Sequence, residues 1–206
     1  MRGFRLRWSP AEVEVNESVA FNPPIVRTSW VGDRQRVEAL HTRVASSRLL
    51  SVLGPAGVGK TRLLGEAIQD VDDVRWLRLH SMTNVFTFLA ALCQAFHVTG
   101  VALAGEPQAL FETVAARLKG RASFSLLVLD GAEGFVEPLR LLLPLLIDET
   151  TMRIVVTTRI RLEVRGEEVF DVAPLSDVEA LAFMREKADA VMGLSRVSDD
   201  DLRALV

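Results

Sequence analysis

An α/β fold with a mostly parallel central sheet is predicted by three features of the sequence. Apolar runs of strand length alternate with helical segments along most of the chain. Two of those runs, Leu126 to Leu129 and Ile154 to Val156, are continuously apolar, as strands covered on both faces must be. Another, Leu49 to Leu53, passes directly into a glycine-rich loop and then a helix.

Taken in order, residues 1–27 combine mixed charge with Asn22-Pro23-Pro24 and hold no sustained period, so they are expected to be a linker or the tail of a preceding module. Order is expected from about Trp30. Val37, Leu40 and Val44 then recur at helical spacing ahead of the strand Leu49 to Leu53. Behind the glycine loop, Leu63, Leu64, Ala67 and Ile68 share one helix face. Val74 to Leu79 alternates like a partly exposed strand, which suits a sheet edge. Helices are expected at Val85 to Phe96 and Pro107 to Leu118, with Pro107 fitting a first-turn position.

Phe124 to Leu129 reads as a central parallel strand closed by Asp130, and Met152 to Val156 as a second, closed by Thr157-Thr158-Arg159. A covering helix, Phe135 to Leu146, lies between them, with Pro138 near its start and Pro144 expected to kink or stop it. Val169 to Val172 is a shorter strand. Ser176 and Glu179 form a capping-box pattern that opens another helix, and Ser198 with Asp201 repeats it before Leu202. The expected division is one α/β domain at 28–174 and the start of a helical module at 175–206. That last helix has barely two turns when the chain stops, so a piece of something longer is expected.

Composition narrows the function classes. The 206 residues are 49% hydrophobic and 25% charged, enough for a real core and about one domain plus an extension. A net charge of -3 gives no reason to expect a nucleic-acid or anionic-membrane surface, although Arg2, Arg5 and Arg7 make the extreme N-terminus locally basic. Cys93 is the single cysteine, so no intramolecular disulfide forms, and its setting among Phe88, Leu89, Leu92 and Phe96 reads as core. There is no apolar signal-peptide segment, and Leu141 to Ile147 is too short to span a bilayer. The cytoplasm is the expected compartment.

The chemistry concentrates in Gly54-Pro55-Ala56-Gly57-Val58-Gly59-Lys60-Thr61, a GxxxxGK[ST] run. Its glycines let successive backbone N–H groups surround a phosphate, and the following helix adds its positive N-terminal end. Lys60 can reach the β- and γ-phosphates, and the Thr61 hydroxyl can ligate Mg²⁺. A chance match in a glycine-rich turn is the alternative, and the strand before and helix after the loop weigh against it.

Such a loop needs an acidic group for magnesium at the end of a neighbouring strand. Asp130 is the candidate, the plainer alternative being an Asp that caps a turn. Thr157, Thr158 and Arg159 end another central strand, where the crevice of an open α/β sheet places them near the γ-phosphate. Arg159 there can sense whether that phosphate is present, or can simply pair with a surface carboxylate.

These segments occur in a telling order. Trp30-Val31-Gly32-Asp33-Arg34 through Glu38 comes first, then the loop, Leu126 to Asp130, Ile154 to Arg159, and Pro174-Leu175 followed by Glu179-Ala180 and Phe183. Over residues 28–206 the chain resembles the STAND-class signalling ATPases, close to the NB-ARC and bacterial transcriptional-activator branches of the AAA-like P-loop proteins. The resemblance implies a P-loop NTPase three-layer sandwich with a five-stranded parallel sheet, in which the Thr157–Arg159 strand lies between the loop strand and the Asp130 strand. It implies ATP or ADP with Mg²⁺ as a switch ligand. Val31 and Gly32 would lie on the adenine side, and Gly54 to Arg62, with Thr158 and Arg159, would contact the nucleotide. Thr61 and Asp130 would hold the metal, and Lys60, Asp130, Glu133 and Arg159 would act in catalysis. The implied partners are regulatory and output domains of a longer protein, with a nucleotide-dependent oligomer among the options.

Three positions depart from the family pattern. Gly131 follows Asp130 where a second acidic or amide residue is common, leaving Glu133 as the next carboxylate to position water. Asp33 stands where an arginine is usual, with Arg34 one residue on. The Gly-Leu-Pro-Leu stretch that usually closes over the nucleotide is absent from the sequence. A slow ATP-operated switch is therefore the leading expectation. A motor-like AAA+ ATPase or P-loop kinase is the second, and a non-catalytic interaction module the third.

Overall fold

The computed structural model describes residues 30–120 and 126–192, with 187–192 described by backbone alone. The linker expected at 1–27, the first residues of the strand expected from Phe124, and the helix expected after Ser198 lie outside the described residues.

The chain runs α1 (Arg34–Ser46), β1 (Leu49–Leu53), α2 (Lys60–Ala67), β2 (Val74–Arg78), α3 (Val85–Ala95), α4 (Pro107–Leu118), β3 (Leu126–Asp130), α5 (Val136–Glu149), β4 (Arg153–Thr158), β5 (Glu167–Asp171) and α6 (Asp177–Met192). Short 3-10 turns at Leu79–Ser81 and Ala132–Gly134 follow β2 and β3. All five strands pair in parallel, in the order β2-β3-β4-β1-β5. The order makes β2 an edge, as its alternating sequence predicts. It also seats β4 between the loop strand and the Asp130 strand, as the resemblance implies.

Side-chain alternation sorts the strands onto two cores. Leu50, Val52, Trp76, Leu126, Val128 and Val155 pack on Val37, Leu40 and Val44 of α1 and on Leu63 and Leu64 of α2. Leu49, Leu77, Leu127, Leu129, Ile154 and Val156 face the other way, onto Phe88, Phe111, Leu139 and Leu143 of α3, α4 and α5. Three layers result, and each fully buried Leu contributes about 2 kcal/mol by leaving water. The period of two also fixes what the strand ends present. Arg78, Asp130 and Thr157 continue the row on the α1/α2 side, whereas Thr158 continues the opposite row.

Two elements extend beyond their expected bounds. Pro144 neither stops α5 nor ends its packing: the helix runs on to Glu149 because Leu142, Leu143 and Leu146, all fully buried, hold it against the core. One lost backbone hydrogen bond is outweighed there by buried apolar area. β5 begins at Glu167, earlier than its apolar residues suggest, because parallel pairing with β1 sets its register, Leu49 opposite Glu167. Cys93 is buried in the larger core, where desolvation pushes its thiol pKa up.

Candidate functional site

The glycine loop joins the C-terminal end of β1 to the first turn of α2. Gly57 (φ +75°) and Gly59 (φ +96°) are left-handed, and Gly59 is the N-cap of α2, so the loop's path needs residues without a Cβ penalty. Lys60 opens the helix and curls its ammonium onto its own loop, donating to the carbonyls of Gly54 (2.9 Å) and Pro55 (3.0 Å). The cation thus sits over the arch that a phosphate would occupy.

Asp130 is the centre of a hydroxyl relay. Its Oδ1 accepts from Thr61 Oγ1 at 2.8 Å and from Thr157 Oγ1 at 2.6 Å, and Thr157 Oγ1 in turn accepts the Gly131 N–H at 2.8 Å. Buried to 4% exposure, the carboxylate is aimed by these bonds at the N-terminus of α2. Because Thr61 gives its proton to Asp130, its oxygen lone pairs are left for a cation. The donor set is hard oxygen, which fits Mg²⁺ completed by phosphate oxygens and water.

Lys60, Thr61, Arg78, His80, Asp130, Glu133, Thr157 and Arg159, with Ala56, Gly57 and Gly131, line one cavity of about 310 Å³. Gly131 has φ +77° and would place a Cβ 3.3 Å from His80 Nδ1. That left-handed backbone is the physical reason for glycine where an acidic residue is common. The 3-10 turn that follows brings Glu133 to the cavity, where its Oε1 lies 3.3 Å from Arg159 Nε. The two side chains named for water positioning and phosphate sensing are therefore an ion pair.

Thr158 does not present its hydroxyl to the cleft. Its hydroxyl turns to the opposite face, donating to Ile160 O (2.9 Å) and accepting the Ile160 N–H (3.2 Å), and Thr157 takes the cleft-facing position instead. Counting alternate residues on from Val155 identifies Thr157, and the same count from Trp76 on β2 identifies Arg78.

On the other side of the loop lies a cavity of about 660 Å³, within the range of small-molecule sites. Its walls include Val31, Gly32, Pro55, Val58, Gly59 and Arg62, together with Val172, Pro174, Leu175 and Phe183. Ala56 and Gly57 border both cavities, so the loop is the partition between them. Trp30, the first residue of the segment that opens the resemblance, closes this wall. Its indole N–H donates to Gly32 O (2.9 Å), and the Arg62 guanidinium lies 5.8 Å from its ring centroid. Gly32, at φ +140°, would bring a Cβ to 3.0 Å from that ring. Asp33 has its own task here: its side chain N-caps α1 by accepting the Gln35 N–H at 2.8 Å.

α6 is stapled over this cavity. The Glu179 carboxylate accepts the Ser176 N–H (2.7 Å), the Ser176 hydroxyl (2.8 Å) and the Asp33 N–H (2.8 Å), with Arg36 at 3.8 Å. These donors, Ser176 foremost, hold its pKa below the ordinary glutamate value.

A family model for the AAA domain matches residues 43–163, more than half of the sequence. The chain belongs to the AAA domain family. The matched stretch of this AAA domain holds the loop, Asp130, Thr157 and Arg159. No curated protein matches the sequence. Among solved structures, it is similar to Cdc6p from Pyrobaculum aerophilum (TM-score 0.64, 15% identity, 89% of this chain and 56% of that one). It is also similar to a Signal Transduction ATPase with Numerous Domains from Pyrococcus horikoshii that carries a tetratricopeptide repeat sensor (TM-score 0.59, 18% identity, 92% of this chain and 29% of that one). A third is a Walker-type ATPase of Pyrococcus abyssi (TM-score 0.51, 14% identity, 91% of this chain and 65% of that one). At such identities the likeness establishes the fold, and the AAA domain spans less than two thirds of each of these chains. Among the described residues, no helix is long and apolar enough to cross a membrane.

Proposed function

We propose that the chain is the nucleotide-operated switch module of a larger signalling ATPase, of the STAND class and near its NB-ARC and transcriptional-activator branches. It would bind Mg·ATP and hydrolyse it slowly. The observation that carries this reading is the relay from Thr61 through Asp130 to Thr157, set beside Lys60 at the end of a left-handed glycine loop. A buried carboxylate and a threonine hydroxyl meeting at the start of the loop helix are the oxygen ligands such a cation site needs.

In the mechanism, the loop amides and Lys60 would hold the β- and γ-phosphates, and Thr61 with Asp130 would hold a metal that supplies neutralisation of charge developing on the phosphates. The base and ribose occupy the larger cavity, between Val31-Gly32 and Pro174 to Phe183. Glu133 orients water once Arg159 moves from it to the terminal phosphate. Glycine at 131 leaves that duty to a carboxylate two residues further on, and slow turnover follows from the longer reach. Nucleotide in the larger cavity also touches the start of α6, through which its presence is passed to the helical module and the domains beyond.

Thermal melts test the reading. A ligand that binds only the folded state must raise the midpoint, so Mg·ATP is expected to raise it in the wild type and not in Lys60→Ala. An unchanged wild-type midpoint at millimolar Mg·ATP would favour an interaction module without nucleotide.

A further inference from the structure

We propose that Arg78, at the end of β2, contacts the terminal phosphate of a bound nucleoside triphosphate, giving the site a second reader of nucleotide state besides Arg159. The inference rests on the nucleotide reading above and names a residue that the loop and strand motifs do not include.

The sheet register carries it. Arg78 is the parallel partner of Asp130, and alternation sends both side chains, with Thr157 of the next strand, to the α1/α2 face where α2 begins. Three neighbouring strands thus present a cation, a carboxylate and a hydroxyl in one row facing Thr61 and Lys60, and all of them line the phosphate cavity. The charges in that cavity are unevenly matched. Asp130 is taken up by two hydroxyls, and Glu133 by Arg159. Arg78, half-buried, joins none of the ion pairs among the described residues. Arg75, on the same strand but facing away, by contrast meets Asp73 at 2.8 Å and the carbonyl of Ala95 at 2.9 Å.

A guanidinium kept from carboxylates and turned into a cleft with Lys60 is suited to a dianionic phosphate group, which its planar fork grips through two oxygens. Its place beside Asp130 puts it at the metal end of the cleft, across the loop from the base cavity. Contact is therefore expected with the third phosphate and not with the first two. A triphosphate would be distinguished from a diphosphate by two arginines on separate strands, Arg78 on β2 and Arg159 beyond β4.

The test is calorimetric titration of wild type, Arg78→Ala and Arg78→Gln with Mg·ADP and with a non-hydrolysable Mg·ATP analogue. Inorganic phosphate is then added to the ADP complex to separate a terminal phosphoryl group from free phosphate. Both variants are expected to lose about tenfold or more in affinity for the ATP analogue, the worth of a charge-assisted bond, and less than twofold for ADP. Equal losses on the two nucleotides, or none, would overturn the assignment. Should Arg78→Ala melt well below wild type without ligand, Arg78→Gln, which keeps most of the side-chain length, decides. A wild type that binds neither nucleotide fails the nucleotide reading itself, and this inference with it. A Lys60→Ala variant that loses both nucleotides while Arg78 variants keep both leaves that reading standing and removes this one.

Discussion

Glu179 Oε1 accepts the backbone N–H of Asp33 at 2.8 Å across 146 residues of sequence, tying the first turn of α6 to the residue that caps α1. One carboxylate thereby spans two walls of the larger cavity.

The pH dependence of this clasp follows from its sign. The donors around Glu179 depress its folded pKa, so its contribution is complete above the unfolded glutamate value, about 4.3, and is lost as pH falls through the lower folded value. Wild type is expected to melt above Glu179→Gln at pH 7, and the gap is expected to close in acid below pH about 4. Melting curves of both proteins over this range check it, and a gap that widens in acid would contradict the assignment.

Thr157→Val removes the hydroxyl that joins Asp130 to the Gly131 N–H. Leaving buried polar groups unmatched is expected to cost about 1–3 kcal/mol and to weaken the Mg²⁺ dependence of nucleotide binding. Thr158→Val breaks only the local bonds to Ile160. It is expected to lower stability and leave the Mg²⁺ dependence intact, as denaturant titration and metal-free binding runs would reveal.

Gly131→Ala forces a Cβ into a left-handed residue, 3.3 Å from His80 Nδ1. A loss of about 1–2 kcal/mol is expected in chemical denaturation. Gly131→Asp, which supplies the acidic neighbour common in the family, is expected to be at least as costly and not to speed hydrolysis.

Glu133→Gln keeps the side chain's shape and removes its charge, loosening the contact with Arg159. Turnover is expected to fall at least tenfold with ATP affinity maintained or raised. Steady-state hydrolysis beside equilibrium binding reads both, and equal turnover would exclude Glu133 as the group that orients water.

Most of the architecture was legible because it rests on two periods. Continuous apolar runs marked β3 and β4, and spacing of three and four marked α1, α2 and α4, whose Pro107 start agrees with the structure. α5 runs past the expected Leu146 to Glu149 because tertiary packing outweighs a local breaker at Pro144. Within the site, the contiguous loop residues could be named from sequence, since their chemistry is local. Thr157 and Thr158 are adjacent and alike in sequence, and only the facing of β4 separates their hydroxyls. Trp30, Arg78 and His80 enter through the meeting of elements far apart in sequence. The bond between Glu179 and Asp33 is of the same kind, although the capping box that positions Glu179 was already visible.

The central claim is that the loop from Gly54 to Thr61 encloses a polyphosphate whose cation is shared by Thr61 and Asp130. Calorimetric titration of ATP into the wild type and Lys60→Ala, with Mg²⁺ and with a chelator, measures it most directly. The account predicts binding that tightens with Mg²⁺ in the wild type and a loss of at least tenfold in Lys60→Ala. Equal affinity in the two proteins, or wild-type binding indifferent to Mg²⁺, would contradict it.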